Sequence, residues 1–367
     1  MERKCFWLWL SRIPNIGTKR FLSIYEYFQN IEEVYYANKE ELSMVPNLNK
    51  VAIDSILNHK NLKDTLEYAK KLEKQKVDTL LLEDEEYPKL LKQIYDPPPV
   101  LYCKGSTVID EVAISIVGSR KASYYGLKMA EKLAFELASM GITIVSGMAR
   151  GIDTYAHKGA LQAKGKTVAV LGCGVDVIYP VENKELMQEI ELKGSVISEY
   201  PLSILPKPNF FPARNRIISG LSLGTIIIEA GEKSGSLITA EFALEQGREV
   251  YAIPGNIDTT TSKGTNNLIK EGAKVVTKVE DIIEDIFPYL HSKIDLLSNR
   301  TQDHSAKQYE QVTEEEKIIL MKIKNGFNTI DDIIRECGYP TSTVNACLTM
   351  LELKGIIIKY IDGYYLK

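Results

Sequence analysis

The sequence predicts an α/β protein: a doubly wound, mainly parallel sheet flanked by an N-terminal helical domain and a C-terminal winged helix. Three observations carry that expectation. From about residue 110 to 287, short β-branched runs alternate with amphipathic helical stretches. Up to about residue 75 the apolar spacing is helical throughout. From residue 312 onward, three helical patterns precede two strand-like runs around a D-G turn.

Residues 1–75 hold two similar passages, "LSRIPNIGTKRFLSIYEYF" and "LSMVPNLNKVAIDSILNH". Each places a turn before an amphipathic helix, so the segment reads as a pair of helix-hairpin-helix units, a SAM-like helical domain. Turn amides of that kind can face a phosphate. The second copy has Asn47, Leu48 and Asn49 where a turn glycine would help, so the first is the better phosphate binder. A small helical packing domain is the alternative reading. A connector follows, in which Pro97, Pro98 and Pro99 force an extended path into the strand-like "VLYCKG".

The central block, residues 76–287, contains "VAISIVG", "ITIVSG", "TVAVLG", "SVISEY", "GTIIIEA", "EVYAIPG" and "AKVV". Apolar β-branched runs separated by helices imply a parallel sheet covered on both faces. Right-handed crossovers wind such a sheet into a Rossmann-like fold. Residues 288–311 are polar and weakly patterned and read as a linker. Residues 312–367 give three helices, a strand, the D-G turn and a second strand, which describes a winged helix.

Composition narrows the function. The chain has 367 residues, 44% apolar and 26% charged, as expected of several soluble globular units. Its 49 acids against 45 bases exclude a generally cationic nucleic-acid coat, although not a local basic site. No apolar run is long enough to span a membrane and no signal peptide is recognisable, so no membrane partner is expected. Five scattered cysteines without a C-x-x-C point to reduced thiols and a cytoplasmic location. With only four histidines, none in a paired spacing, no metal site is expected.

In a doubly wound sheet, ligands bind at the carboxyl ends of the strands. Four glycine-bearing strand ends converge there: "IVGSRKAS", "VSGMARGID", "LGCGVDVIYP" and "EAGEKSGSLIT". They predict an anion or phosphate site. A dinucleotide cofactor is not expected, because "GCGVDV" lacks the third glycine of the fingerprint and no acid ends a second strand to hold a ribose. Arg120, just after Gly118 and Ser119, can fork onto a phosphate, the alternative being a surface arginine paired with a helix acid. Ser123 can cap the next helix or bind phosphate, and reads first as a cap. Asp153 and His157 lie four apart on one helical face and read as an N-cap and its neighbour, since no motif supplies a nucleophile. Glu229 and Glu241 are compatible with acid–base work or with a structural role. No catalytic residue is assigned.

The segment "PKPNFFPARNRIISG", residues 206–220, stands out in an acidic chain: no Asp or Glu occurs between Tyr200 and Ile228. Lys207, Arg214 and Arg216 supply cations for backbone phosphates, and Phe210 supplies a ring for a base to stack on; the alternative is that the two rings anchor the core and the arginines close salt bridges. A duplex exposes no base face, so this pairing favours single strands. Phe211 is expected to face the core.

The motifs "IVGSRKASYYG", "VSGMARGIDTYAHKGAL", "AVLGCGVDVIYPVEN", "FPARNRIISGLS" and "EAGEKSGSLITAEFALEQGREVYAIPG" resemble those of the DprA/Smf family of DNA-processing proteins, in order and in spacing, over residues 80–287. The resemblance implies an extended Rossmann fold that binds single-stranded DNA, self-associates as a homodimer and helps load a RecA-type recombinase onto incoming strands during natural transformation. It implies no cofactor. It assigns DNA contact to Arg120, Lys207 and Phe210, with Gly118, Ser119, Ser123, Gly147, Arg214, Asn215 and Arg216 as neighbouring motif residues. Residues 310–367 hold nine acids and seven bases, a net of −2, so the winged helix is expected to bind protein rather than DNA. The alternative is a nucleotide-processing enzyme of the lysine-decarboxylase-like group, whose hallmark P-G-G-x-G-T-x-x-E is matched only by "EKSGSLITAE", without the doubled glycine.

Overall fold

The computed structural model describes residues 3–107, 109, 112–286, 313–353, 356–360 and 363–366. The expected linker, 288–311, lies outside them. The chain divides into two compact units, Met1–Leu290 and His291–Lys367.

The first unit is built on a nine-stranded sheet of order β1-β2-β6-β5-β4-β3-β7-β8-β9. Strands β3 (Ala113–Val117), β4 (Thr143–Ser146), β5 (Thr167–Val170), β6 (Ser195–Ser198) and β7 (Gly224–Ile227) are buried at every position. Their β-branched side chains suit a sheet covered on both faces. These strands pair in parallel, as do β8 (Glu249–Ala252) and the two-residue β9 (Lys274–Val275). One edge is antiparallel: β2 (Val100–Gly105) pairs with β6, and β1 (Asp78–Leu81) pairs with β2. Strand β1 had no expectation in the sequence, where its "DTLL" runs straight into the acids Glu83, Asp84, Glu85 and Glu86.

Six helices precede the sheet: α1 (Arg3–Ser11), α2 (Thr18–Phe28), α3 (Ile31–Tyr36), α4 (Lys39–Ser43), α5 (Lys50–Asn58) and α6 (Leu62–Lys74). The two repeated turns share their geometry, since Asn15 and Asn47 both take positive φ, 66° and 64°. They differ at the following helix start. Asn49 caps α5 by accepting from Ala52 N, whereas Gly17 leaves α2 without a side-chain cap. Later helices are α7 (Lys89–Lys92), α8 (Tyr124–Ser139), α9 (Ile152–Gln162), α10 (Lys184–Lys193), α11 (Phe210–Gly220), α12 (Gly235–Glu245) and α13 (Lys263–Lys270).

Alternation along each strand splits the core into two layers. Ile114, Ile116 and Ile144 face α8 and α9, together with Leu133, Leu137 and Ile152. Ala113, Val117 and Val145 face the other way, into a core that continues through Ile217 and Ile218 to Phe6, Trp7 and Leu10. The N-terminal helices therefore share one apolar layer with the sheet.

The second unit has helices Glu314–Lys324, Ile330–Cys337 and Thr341–Leu353, followed by the antiparallel strands β10 (Ile357–Tyr360) and β11 (Gly363–Leu366). Its core gathers Ile319, Ile323, Ile333, Val344, Leu348 and Leu351. The acids that open its first helix have a local reason: Thr313 and Glu316 form a reciprocal capping box.

Candidate nucleic-acid interface

The strand order reverses between β3 and β7, so a crevice opens at their carboxyl ends. The loop after β3 is clamped from two sides. Ser119 N donates to Glu229 O at 2.7 Å, and Ile152 N donates to Ser119 O at 3.3 Å. Gly151 makes the second clamp possible: its φ is +77°, and a Cβ there would lie 2.3 Å from Ser119 O. Gly118 is equally confined, with Ile152 Cγ1 at 2.7 Å from any added Cβ. Arg120 thus leaves a fixed backbone. It is exposed, it makes no ion pair among the described residues, and its guanidinium carbon lies 5.2 Å from the centre of the Phe211 ring.

Phe211 itself departs from expectation. It is half-buried and lines the cleft with Arg120, Gly147, Gly172 and Arg214 instead of entering the core. The reason is Gly172 at the end of β5, where a Cβ would meet Phe211 Cδ1 at 3.0 Å. The ring occupies that space and tilts against Tyr179, centroids 5.4 Å apart. Phe210 points elsewhere. It stacks on Tyr200 with centroids 4.3 Å apart and planes at 24°, and the exposed Lys207 holds its Nζ 5.5 Å from the Phe210 centroid. The two adjacent rings therefore serve two neighbouring surfaces at the start of α11.

The two arginines of the segment are buried braces, the alternative to the phosphate clamps expected of them. Arg214 is 3% exposed. Its Nη1 donates to Gly147 O at 2.8 Å and also to Val170 O, tying the ends of β4 and β5 together. Burial lowers it to about 10, with Asp153 opposing the fall. Asp153 is a brace as well, not a helix N-cap: its carboxylate accepts from Gly147 N at 3.1 Å and Ala149 N at 3.3 Å, and Gly151 holds the cap position. Burial raises Asp153 to about 6 against the pull of Arg214. Gly147 lies between the two groups, so no side chain fits there. Arg216 leaves the cleft altogether and binds Glu199 at 2.6 Å and Asp96 at 3.2 Å.

Ser123 is also engaged: it caps α8 through Gly126 N and donates to the buried Glu229, which accepts Ser123 N at 2.8 Å. Asn215 joins α11 to α12, accepting from Arg214 Nε and donating to Gly235 O. His157 does not pair with Asp153. Its Nδ1 lies 2.7 Å from Thr167 Oγ1, whose own hydrogen goes to Ile144 O, so Nδ1 carries the ring proton. The bare Nε2 has no partner among the described residues, and burial with the Arg214 charge lowers the imidazole to about 3. Of the expected site residues, Arg120, Gly147 and Arg214 line one cleft, Gly118 and Ser119 lie in the loop that carries Arg120, and Lys207 and Phe210 lie at the N-terminal end of α11. Sequence reasoning missed Phe211 and Tyr200. The signal for Phe211 was the glycine pair in "LGCG", which leaves room for a ring above the strand end.

No group of three metal-ligating side chains occurs among the described residues, and no described helix is long and apolar enough to cross a membrane. The fold and cleft define a Rossmann-like α/β protein whose switch point carries a cleft lined by Arg120, Phe211 and Arg214. Residues 78–287 match the family described as DNA recombination-mediator protein A, and residues 304–359 match the DprA winged helix domain. The chain is 31% identical to Protein Smf of Synechocystis sp. over 97% of its own length and 96% of that protein's. It belongs to the DprA/Smf family. The X-ray structure of DNA processing protein A from Streptococcus pneumoniae superposes with a TM-score of 0.67 at 38% identity, covering 77% of this chain and 96% of that one. A structure of the Helicobacter pylori protein, described for its single-stranded DNA binding mode, gives a TM-score of 0.53 at 34% identity, covering 58% and 96%.

Proposed function

We propose that this chain is a non-enzymatic single-stranded DNA-binding mediator. In this reading phosphates lie over Arg120 and the glycine loops after β3 and β4, a base stacks on the Phe210 face, and Lys207 neutralises the adjoining phosphate. The observation that carries the reading is Arg120: an exposed guanidinium on a clamped loop, without an ion pair among the described residues and with an aromatic ring beneath it. The binding mode named for the Helicobacter pylori relative supports the choice of a single strand. The burial of Asp153, Glu229 and His157, with both carboxylates accepting internal hydrogen bonds, supports a role without catalysis. Neither a cofactor nor a metal is needed.

Self-association as a homodimer would join modest sites into one surface of high avidity on a long strand. The physiological task is then to help a RecA-type recombinase onto single-stranded DNA entering the cytoplasm during transformation. A gel shift with single- and double-stranded oligonucleotides tests the reading. The wild type is expected to retard the single strand selectively, and Arg120→Ala and Phe210→Ala to lose that retardation with an unchanged melting temperature. Equal retardation of duplex, or of both variants, contradicts it. Faster recombinase assembly on single strands in the presence of the protein is expected in turn, and no acceleration would remove the loading role.

A further inference from the structure

A second groove, of about 620 Å³, lies beside the Phe210 face, between the first helix-hairpin turn and the antiparallel edge of the sheet. Its walls include Gly17, Thr18 and Lys19 on one side and Glu199, Tyr200 and Ala213 on the other, with Arg216 also lining it. Four features distinguish it from a gap between packed elements. Helix α2 begins there without a side-chain cap, and Gly17 is exposed with nothing within 4 Å of a Cβ built on it. At φ −88° that position needs no glycine for its backbone. Arg216 is 5% exposed, and its Nη1 finds no hydrogen-bond partner among the described residues, although Nε and Nη2 meet Asp96 and Glu199. Burial works against the Arg216 charge, but those two acids hold it above the ordinary value.

The third feature lies outside the lining, adjoining Asp96: Tyr95 is an 87% exposed ring with Lys19 Nζ 5.5 Å from its centroid. The fourth is continuity. Tyr200 lines the groove and is the ring on which Phe210 stacks, so the groove starts where the proposed base platform ends. Among the charged residues of the walls, Lys19, Arg20 and Arg216 outnumber Asp96 and Glu199. Arg20 is pinned, donating to Asn15 O at 2.7 Å, which leaves Lys19 as the cation of that wall without a hydrogen bond or ion pair among the described residues.

We propose that this groove carries the continuing backbone of the same single strand, with one phosphate on the uncapped start of α2 beside Lys19 and one base on Tyr95. This rests on the single-strand reading of the central cleft. The α2 amides give an anion unspent donors at the positive end of a helix of eleven residues. The second hairpin offers no equivalent, because Asn49 already caps α5.

The test uses the full-length protein, Gly17→Asp and Tyr95→Ala, and fluorescence anisotropy with oligothymidylates of about five and about fifteen nucleotides, lengths that bracket the usual site size of a single-strand binder. Aspartate is a strong helix cap, so Gly17→Asp should keep or raise the melting temperature while placing a carboxylate where the phosphate would sit. Both variants should bind the short probe as wild type does and the long probe roughly tenfold more weakly, the size of one lost stacking or phosphate contact. Wild-type affinity of both variants for the long probe overturns the groove proposal and leaves the central cleft intact. Failure of the wild type to bind either probe overturns the single-strand reading and this proposal with it. A duplex bound by the wild type and lost in Gly17→Asp assigns the hairpin to double-stranded DNA and overturns the proposal as stated.

Discussion

At the scale of single residues, the cleft rests on two buried ionisable groups that titrate in opposite directions. Folded His157 protonates at about 3, against an ordinary 6.5, so the unfolded chain binds the extra proton between those values. Stability therefore falls on acidification through that window, by up to about 1.4 kcal/mol per pH unit. Folded Asp153 protonates at about 6 against an ordinary 3.8, so here the folded state holds the extra proton and stability rises on acidification. The two offset each other between about pH 4 and 6. His157→Asn keeps a donor for Thr167 and removes the histidine's titration. Relative to wild type, its urea midpoint should improve as pH falls from 6.5, and a pH-independent difference contradicts the assignment. Arg214 and Lys207 make a second contrast. Arg214→Ala removes a buried cation and leaves Asp153 uncompensated, a loss of about 3–5 kcal/mol, whereas Lys207→Ala at an exposed site should stay within about 0.5 kcal/mol. Thermal melts decide, and a stable Arg214→Ala protein would return that residue to the role of a DNA clamp.

At the scale of elements, the loops after β3 and β4 act as one piece because they cross at Gly151. Gly151→Ala forces a Cβ onto Ser119 O in a left-handed backbone, which costs at least about 1–3 kcal/mol. The melting temperature and single-strand affinity should therefore fall together, since Arg120 hangs from the displaced loop. An affinity loss without a melting shift would mean that Gly151 touches the ligand directly. The crossing also shows what was legible in the sequence. The parallel strands were, because buried β-branched runs report on themselves, and so were the four glycine-bearing strand ends. Arg216 was not, since its partner Asp96 is 120 residues away and nothing near either residue announces the other. Phe211 was misread for the same kind of reason: its direction is set by Gly172, on another strand end. Strand β1 was hidden because edge pairing to β2 on one side needs only four residues and little apolar length.

At the scale of the whole molecule, a chain with 49 acids against 45 bases should bind duplex DNA only weakly outside the cleft. The second compact unit has its own core and a net acidic sequence. A chain ending after residue 290 should accordingly fold with an unchanged melting temperature and bind a short single strand as the full protein does. A weakened short-strand affinity would place DNA contacts in the winged helix. Arg120 and Lys207 should meet phosphates of a single strand, and the most direct measure of those contacts is the salt dependence of binding. The wild type should lose affinity linearly on a log–log plot against salt, and each of Arg120→Ala and Lys207→Ala should reduce that slope by about 0.7, the value of one phosphate contact on a single strand. A slope unchanged in both variants, or a wild-type affinity indifferent to salt, would contradict those contacts.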